Sequence, residues 1–282
     1  MQSLTLTDLK DRLSPSARMP VVFLGHGSPM NALGDNPFSK SWAELGQSLP
    51  RPKAILVVSA HWMTRGTTLV DVSQAPKTIH DFHGFPEALY QQQYPAPGAP
   101  DLAKTVASLL ASHHAEEDDS WGLDHGAWAV LNSMYPDADV PVFQVSLDMS
   151  KDLDWHVETG RLLADLRDRG VLILGSGNVV HNLRRMRFDG GALDFAVEFD
   201  ARFAKRLEAR DLKTLSDRVG LGSLLKEAHP SIDHYLPALT IAGAANAGDD
   251  LTFMTDAIDL GSVSMRSFVF HQRDVHRGNG LR

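Results

Sequence analysis

Four short apolar runs constrain this chain more than any other feature: VVFLG (21–25), AILVVSA (54–60), VPVFQVSL (140–147) and VLILGSG (171–177). They are rich in valine, isoleucine and leucine, and small residues close most of them. Runs of this length without polar alternation suit strands covered on both faces, as in parallel sheets. Helical patterns lie between them. Asp101 is placed to cap a helix in which Leu102, Val106, Leu109 and Leu110 share a face. Trp155, Leu162, Leu163 and Leu166 repeat that pattern ahead of Gly170, a stop signal. Phe195, Phe199, Phe203 and Leu207 form a stripe at a spacing of four. Strands alternating with helices predict an α/β fold. The expected form is a three-layer α/β/α arrangement with a central, largely parallel mixed sheet.

The chain has 282 residues, enough for one large α/β domain. No internal repeat or long linker divides it. The expected organisation is a polar lead-in over 1–18, one catalytic domain over 19–270 and a tail over 271–282. Residues 74–100 carry five prolines and read as an ordered flap. HHAEEDD (113–119) reads as solvated loop.

Composition removes several classes of function. There is no cysteine, which excludes disulfides, zinc–thiolate sites, iron–sulfur clusters and thiol nucleophiles. Any metal must sit on nitrogen and oxygen ligands. The net charge of −8 argues against a general nucleic-acid binder. No apolar run reaches the roughly 18 residues of a membrane span. The first 20 residues lack the apolar core of a signal peptide. The expected location is the cytoplasm, and the sequence sets no oligomeric state.

The chain holds 13 histidines, and their placement is the second constraint. VVFLG runs into His26 within GHGSPM, AILVVSA into His61 within SAHWM, and VLILGSG into His181 within GSGNVVHNL. Ligands of open α/β sheets bind beyond the carboxyl ends of the strands. Parallel neighbouring strands would therefore bring these three imidazoles to one edge. His125, in WGLDHGAW, and His234, in HPSIDHYLP, sit in similarly marked settings. An imidazole ligand usually needs a partner on its second nitrogen, and Asn178, Asn182, Asp124 and Asp233 are near in sequence for that. His80 and His83, in IHDFHGFPEALY, belong to the flap. His113, His114, His271 and His276 read as solvated, and His156 as helix packing.

Other chemistries lack their signatures. Ser28 is not in a G-x-S-x-G elbow, because His26 and Met30 replace the glycines. GSGNVV lacks the Lys-Ser/Thr end of a phosphate loop, and no HExxH helix is present.

GHGSPMNAL, SAHW, IHDF followed by GFPEALY and YPAPG, WGLDHGAW, SGNVVHNL and HYLP together resemble the 4,5-DOPA extradiol dioxygenase family. That family belongs to the class III extradiol ring-cleaving dioxygenases, with the catalytic subunit of protocatechuate 4,5-dioxygenase. The resemblance runs from about residue 19 to about residue 268. It implies metal ligation by His26, His61 and His234, with His181 beside the metal as a fourth ligand or as the acid/base. It implies that His125 contacts substrate or dioxygen, donating a hydrogen bond to a developing oxyanion. Many class III enzymes use two histidines and a glutamate; here the third position reads His234, with Asp233 and Glu227 nearby.

The implied reaction inserts O2 into the ring of a DOPA-like or related catechol and yields a ring-opened semialdehyde. The implied cofactor is one divalent metal per chain, Fe(II) as working metal, with Zn(II) able to occupy the same ligands. Trp62, Phe82 and Tyr235 are candidate substrate contacts, with Phe85 and Trp128 beside them. Two other readings share the histidines: a zinc-dependent hydrolase and a catalytically idle metal-binding protein.

Overall fold

The computed structural model describes residues 18–273. Residues 1–17 of the expected lead-in, and the tail from 274 with His276, lie outside the described residues. The central sheet has six strands: β1 (Val21–Gly25), β2 (Ala54–Ser59), β3 (Val142–Gln144), β4 (Val171–Gly177), β5 (Asp249–Thr255) and β6 (Ser267–Gln272). Their order is β3–β2–β4–β1–β6–β5. The first four are mutually parallel, and β6 runs antiparallel to both β1 and β5. The four apolar runs are thus the parallel half of one sheet. The last strand also takes in His271 and Gln272, which composition assigns to a tail.

The pleat sends alternate residues to two cores. Val22, Leu24, Ile55, Val57, Leu172 and Leu174 face one side. There they meet Trp42 of α1 (Pro37–Ser48) and Trp128 of α3 (His125–Met134). Val21, Phe23, Leu56, Val58 and Ile173 face the other side. That core is covered by α2 (Pro100–Leu109), α4 (Leu153–Leu163), α5 (Asp194–Glu208) and α6 (Leu236–Ala244). The predicted three-layer α/β/α fold with its mixed, mostly parallel sheet is what forms. The stripe Phe195, Phe199, Phe203 and Leu207 is buried on α5. Gly170 closes the 3-10 turn after α4 in the left-handed region, at φ 84°.

Some local expectations change. Asp101 does not cap α2. Pro100 occupies its first turn and Ala99 its N-cap, because proline is pre-set for helical φ and starts the helix earlier. The run 140–147 is not one strand: after Gln144 the chain turns away, and Leu147–Asp148 pairs with Met63–Thr64. Residues 115–118 are not loop, since Ala115–Asp118 forms a parallel ladder with Thr68–Asp71 that satisfies its backbone. His113 is buried rather than solvated, its ring 3.9 Å from that of Trp155. No described helix is long and apolar enough to cross a membrane.

Candidate active site

The order β2–β4–β1 makes the three histidine-bearing strands immediate neighbours with their carboxyl ends on one edge. His26 follows β1 and donates its backbone N–H to Gly177 of β4. His61 lies two residues past β2, and His181 four past β4. His125 is the first residue of α3, whose N-cap is Asp124. His234 sits in the turn before α6, where its carbonyl accepts the Asn178 N–H at 2.9 Å. Two glycines permit these approaches. A Cβ on Gly177 would stand 2.3 Å from the His234 carbonyl oxygen, and one on Gly126 would stand 2.9 Å from the His61 ring.

The five rings gather in one cavity of about 400 Å³, a size suited to a small ligand. His26, His61 and His234 stand at nearly equal separations, with ring centroids 5.1, 5.3 and 5.0 Å apart. Nε2 of His26 and Nε2 of His61 are 3.2 Å apart. The other two rings each lie against one of these three. His125 is 3.9 Å from His61, and His181 stacks on His234 at 3.5 Å and 7°. By nitrogen distance alone the tightest trio is His26, His61 and His125, with ring nitrogens within 4.8 Å of one another.

Most of these rings are turned by a partner on Nδ1. Ser176 Oγ holds His26 at 2.9 Å, and Asp233 holds His234 at 2.6 Å. Asp81 Oδ2 lies 3.3 Å from His61 and 3.0 Å from His125. His181 differs: among the described residues its ring has neither a hydrogen bond nor a carboxylate in ion-pair contact, whereas His61, His125 and His234 each have a carboxylate beside them.

Burial, and then neighbouring imidazoles, push His26 and His234 well below the usual histidine range. Burial and His125 push His61 down, and burial takes His181 to about 4. These four rings are therefore neutral at pH 7, the form that binds metal. Burial alone would raise the Asp81 carboxyl, but the His125 and His61 rings beside it hold it below the usual range.

Apart from Ser28 and Asp233, the rest of the cavity lining is apolar, with Phe82, Phe85, Pro29, Leu183, Met186 and Val263 among its walls. Phe82 and Phe85 set the 82–85 part of the 74–100 segment beside the histidines. His80 braces it through Gln92, whose carbonyl lies 2.9 Å from its Nε2, and Trp128 donates to the Ile79 carbonyl at 2.8 Å. His83 is exposed and outside the cavity.

Trp62 and Tyr235 do not reach the cavity. Trp62 stacks on Trp121 at 5.8 Å. Tyr235 is fully buried among Phe199, Phe203 and His229, and its hydroxyl donates to the Leu215 carbonyl. Adjacency to His61 and His234 misleads here, because neighbouring residues of an extended or turning chain point apart.

Of the four suggested imidazole partners only Asp233 serves. Asp124 caps α3 and accepts from Ser59, Trp121 and Gln144. Asn178 and Asn182 donate to backbone carbonyls of Ser264 and Glu227. The Glu227 carboxylate pairs with Arg185 at the surface. Sequence reasoning missed Asp81 and Ser176. Asp81 stood in the flap motif beside the noticed aromatics. Ser176 is legible only through the β1–β4 register, which sets it opposite Leu24 near His26.

A parallel sheet edge carrying clustered imidazoles beside aromatic side chains can hold a metal and a small aromatic ligand, and a family match over most of the chain gives the class: an aromatic ring-opening dioxygenase, an oxidoreductase. The chain belongs to the family described as the catalytic LigB subunit of aromatic ring-opening dioxygenase, which matches residues 20–258. It is 48% identical over 268 residues to the 4,5-DOPA dioxygenase extradiol of Escherichia coli K12, covering 92% of this chain and 97% of that one. It is 38% identical over 256 residues to the Beta vulgaris protein of the same name, covering 88% of this chain and 95% of that one. Among solved structures, an uncharacterized protein from Escherichia coli K12 matches with a TM-score of 0.79 and 42% identity, covering 90% of this chain and all of that one.

Proposed function

We propose that this extradiol ring-cleaving enzyme is metal-dependent and acts on a catechol, DOPA-like or otherwise substituted, with O2 as co-substrate and a ring-opened semialdehyde as product. The observation that carries the reading is the near-equilateral triangle of His26, His61 and His234. Imidazoles bound to one ion at about 2.1 Å place their centroids about 4.6–5.3 Å apart for right-angled to tetrahedral bonding. The separations of 5.0, 5.1 and 5.3 Å fit that range, whereas the 3.9 Å between His61 and His125 is too short. This favours His234 over His125 as third ligand, although the His125 nitrogens lie in the tightest cluster. His181 cannot turn a nitrogen onto the same ion without breaking its stack on His234, which favours acid/base over fourth ligand.

Fe(II) is the working metal in this reading. It supplies the redox link between an aromatic diol and O2 that no side chain in the cavity can carry. Zinc would bind the same nitrogens and be silent. The protein does the rest. Phe82 and Phe85 hold the aromatic ring and exclude water. His181, unrestrained by hydrogen bonds, takes a catechol proton and returns it to the opening product. His125, with Nδ1 turned to Asp81, offers Nε2 as an acceptor for a substrate hydroxyl, rather than the donor suggested by resemblance.

The test is anaerobic loading with Fe(II), then air and a catechol panel. Oxygen uptake with a coloured semialdehyde supports the reading. Metal-dependent ester or amide hydrolysis without oxygen uptake would replace it with the hydrolase, and no turnover with Fe(II) or Zn(II) with the idle metal-binding protein.

A further inference from the structure

We infer that Asp81 is a shared positioning residue, one carboxylate that sets the ring orientation and tautomer of both His61 and His125. The inference rests on the proposed role of His61 as a ligand. Asp81 Oδ2 is 3.3 Å from Nδ1 of His61 and 3.0 Å from Nδ1 of His125. Its other oxygen accepts the His125 backbone N–H at 2.9 Å. Nδ1 of His125 is buried, and the Asp81 carboxylate, close to it but out of line for a full hydrogen bond, is the one polar group within reach of it among the described residues. A carboxylate offers only acceptors, so both imidazoles carry their proton on Nδ1 and present a lone pair at Nε2. For His61 that lone pair is the one needed for a metal. For His125 it is the one needed for a substrate hydroxyl.

Asp81 differs from Ser176 and Asp233, each of which serves one ring. It also comes from the flap, not from the sheet edge. Leu123 exchanges backbone bonds with Lys77 and Ile79, so Asp81 is presented from a tied base. The next residue, Phe82, walls the cavity. One short segment therefore orients a proposed ligand, orients a substrate contact and closes the pocket. Metal affinity and pocket closure become properties of two adjacent residues, Asp81 and Phe82.

The test uses Asp81→Asn and Asp81→Glu in the full chain. An asparagine amide has one acceptor and one donor face, so with its oxygen on the His125 backbone N–H it turns a donor NH2 toward both Nδ1 atoms. Long-range 1H–15N NMR of histidine-labelled, metal-free protein reads the tautomers directly, assigned through His61→Gln and His125→Gln. In the parent, both rings are expected as Nδ1–H. In Asp81→Asn, at least one shifts to Nε2–H. Anaerobic calorimetry with Co(II) should show affinity lowered about 10- to 100-fold, the cost typical of removing a ligand's orienting partner. Asp81→Glu should restore the tautomers and most of the affinity. Phe82→Ala should raise KM while leaving Co(II) affinity within about twofold. Unchanged tautomers and affinity in Asp81→Asn overturn the inference. So does a loss that Asp81→Glu shares without any tautomer change, which marks a purely structural role. If tautomers and affinity shift as expected but no catechol is cleaved, the proposed reaction fails and the role of Asp81 stands.

Discussion

His181 and His234 lie ring on ring, 3.5 Å apart with planes 7° from parallel, yet only His234 is pinned, by Asp233 at 2.6 Å. The stack sets a restrained imidazole beside an unrestrained one at the floor of the cavity. A ring held through Nδ1 keeps its other nitrogen aimed, as a ligand must. A ring without such a partner can exchange protons without first breaking a hydrogen bond. His181→Ala is therefore expected to keep metal affinity within a few-fold and to lower kcat by about 10²–10⁴. Calorimetry and single-turnover kinetics read the two quantities separately. Full turnover in the variant removes the acid/base role.

The triangle makes a different prediction for the other rings. His26→Ala, His61→Ala and His234→Ala should each weaken Co(II) or Fe(II) binding by at least about 100-fold, since each removes a ligand outright. His125→Ala should bind metal within about 10-fold of the parent and lose turnover. Equal metal loss in His125→Ala and none in His234→Ala would hand the third position to His125.

Gly126 gives a steric test. Its missing Cβ leaves room for the Ser59 hydroxyl at 2.4 Å and the His61 ring at 2.9 Å. Gly126→Ala should displace His61, weaken metal binding about 10-fold or more and leave helix α3 intact. Circular dichroism with metal titration distinguishes the two effects.

Acid stability can be read at His156, which is buried on α4 away from the cavity, its Nε2 without a partner among the described residues. Burial takes its pKa from 6.5 to about 4. Between those values the unfolded chain binds the extra proton and the folded one does not, so stability is full above pH 6.5 and falls toward pH 4. This group alone should cost about 2 kcal/mol between pH 7 and pH 5. Urea unfolding of metal-free His156→Gln should show a correspondingly shallower loss over that interval.

Tyr235 and Phe82 separate packing from recognition. Tyr235→Phe loses a buried hydrogen bond to the Leu215 carbonyl and should cost about 1 kcal/mol of stability with KM unchanged. Phe82→Ala opens the cavity wall and should raise KM for catechols about 10-fold. Equal effects on KM would place Tyr235 in the pocket after all.

The grouping of His26, His61 and His181 was legible because it depends only on strand ends. Short doubly buried runs read as parallel strands, and parallel strands share a carboxyl edge. His125 and His234 entered through motif resemblance, since a helix start and a turn carry no comparable rule about where they point. Trp62 and Tyr235 show the opposite failure: they flank site histidines in sequence and face away in space. Asp101 failed as a cap for a local reason, the proline one residue before it.

The sequence by itself determined the parallel half of the sheet, its cover on both faces, the absence of thiol chemistry and the grouping of His26, His61 and His181, because periodicity and residue type act over a few neighbouring positions. Only the tertiary structure decided how the five rings divide. The equal spacing of His26, His61 and His234, the stack of His181 and the reach of Asp81 to two rings depend on angles between a sheet edge, a helix start, a turn and a flap. Those angles are set by packing across up to 208 residues of chain, from His26 to His234, and no local pattern encodes them.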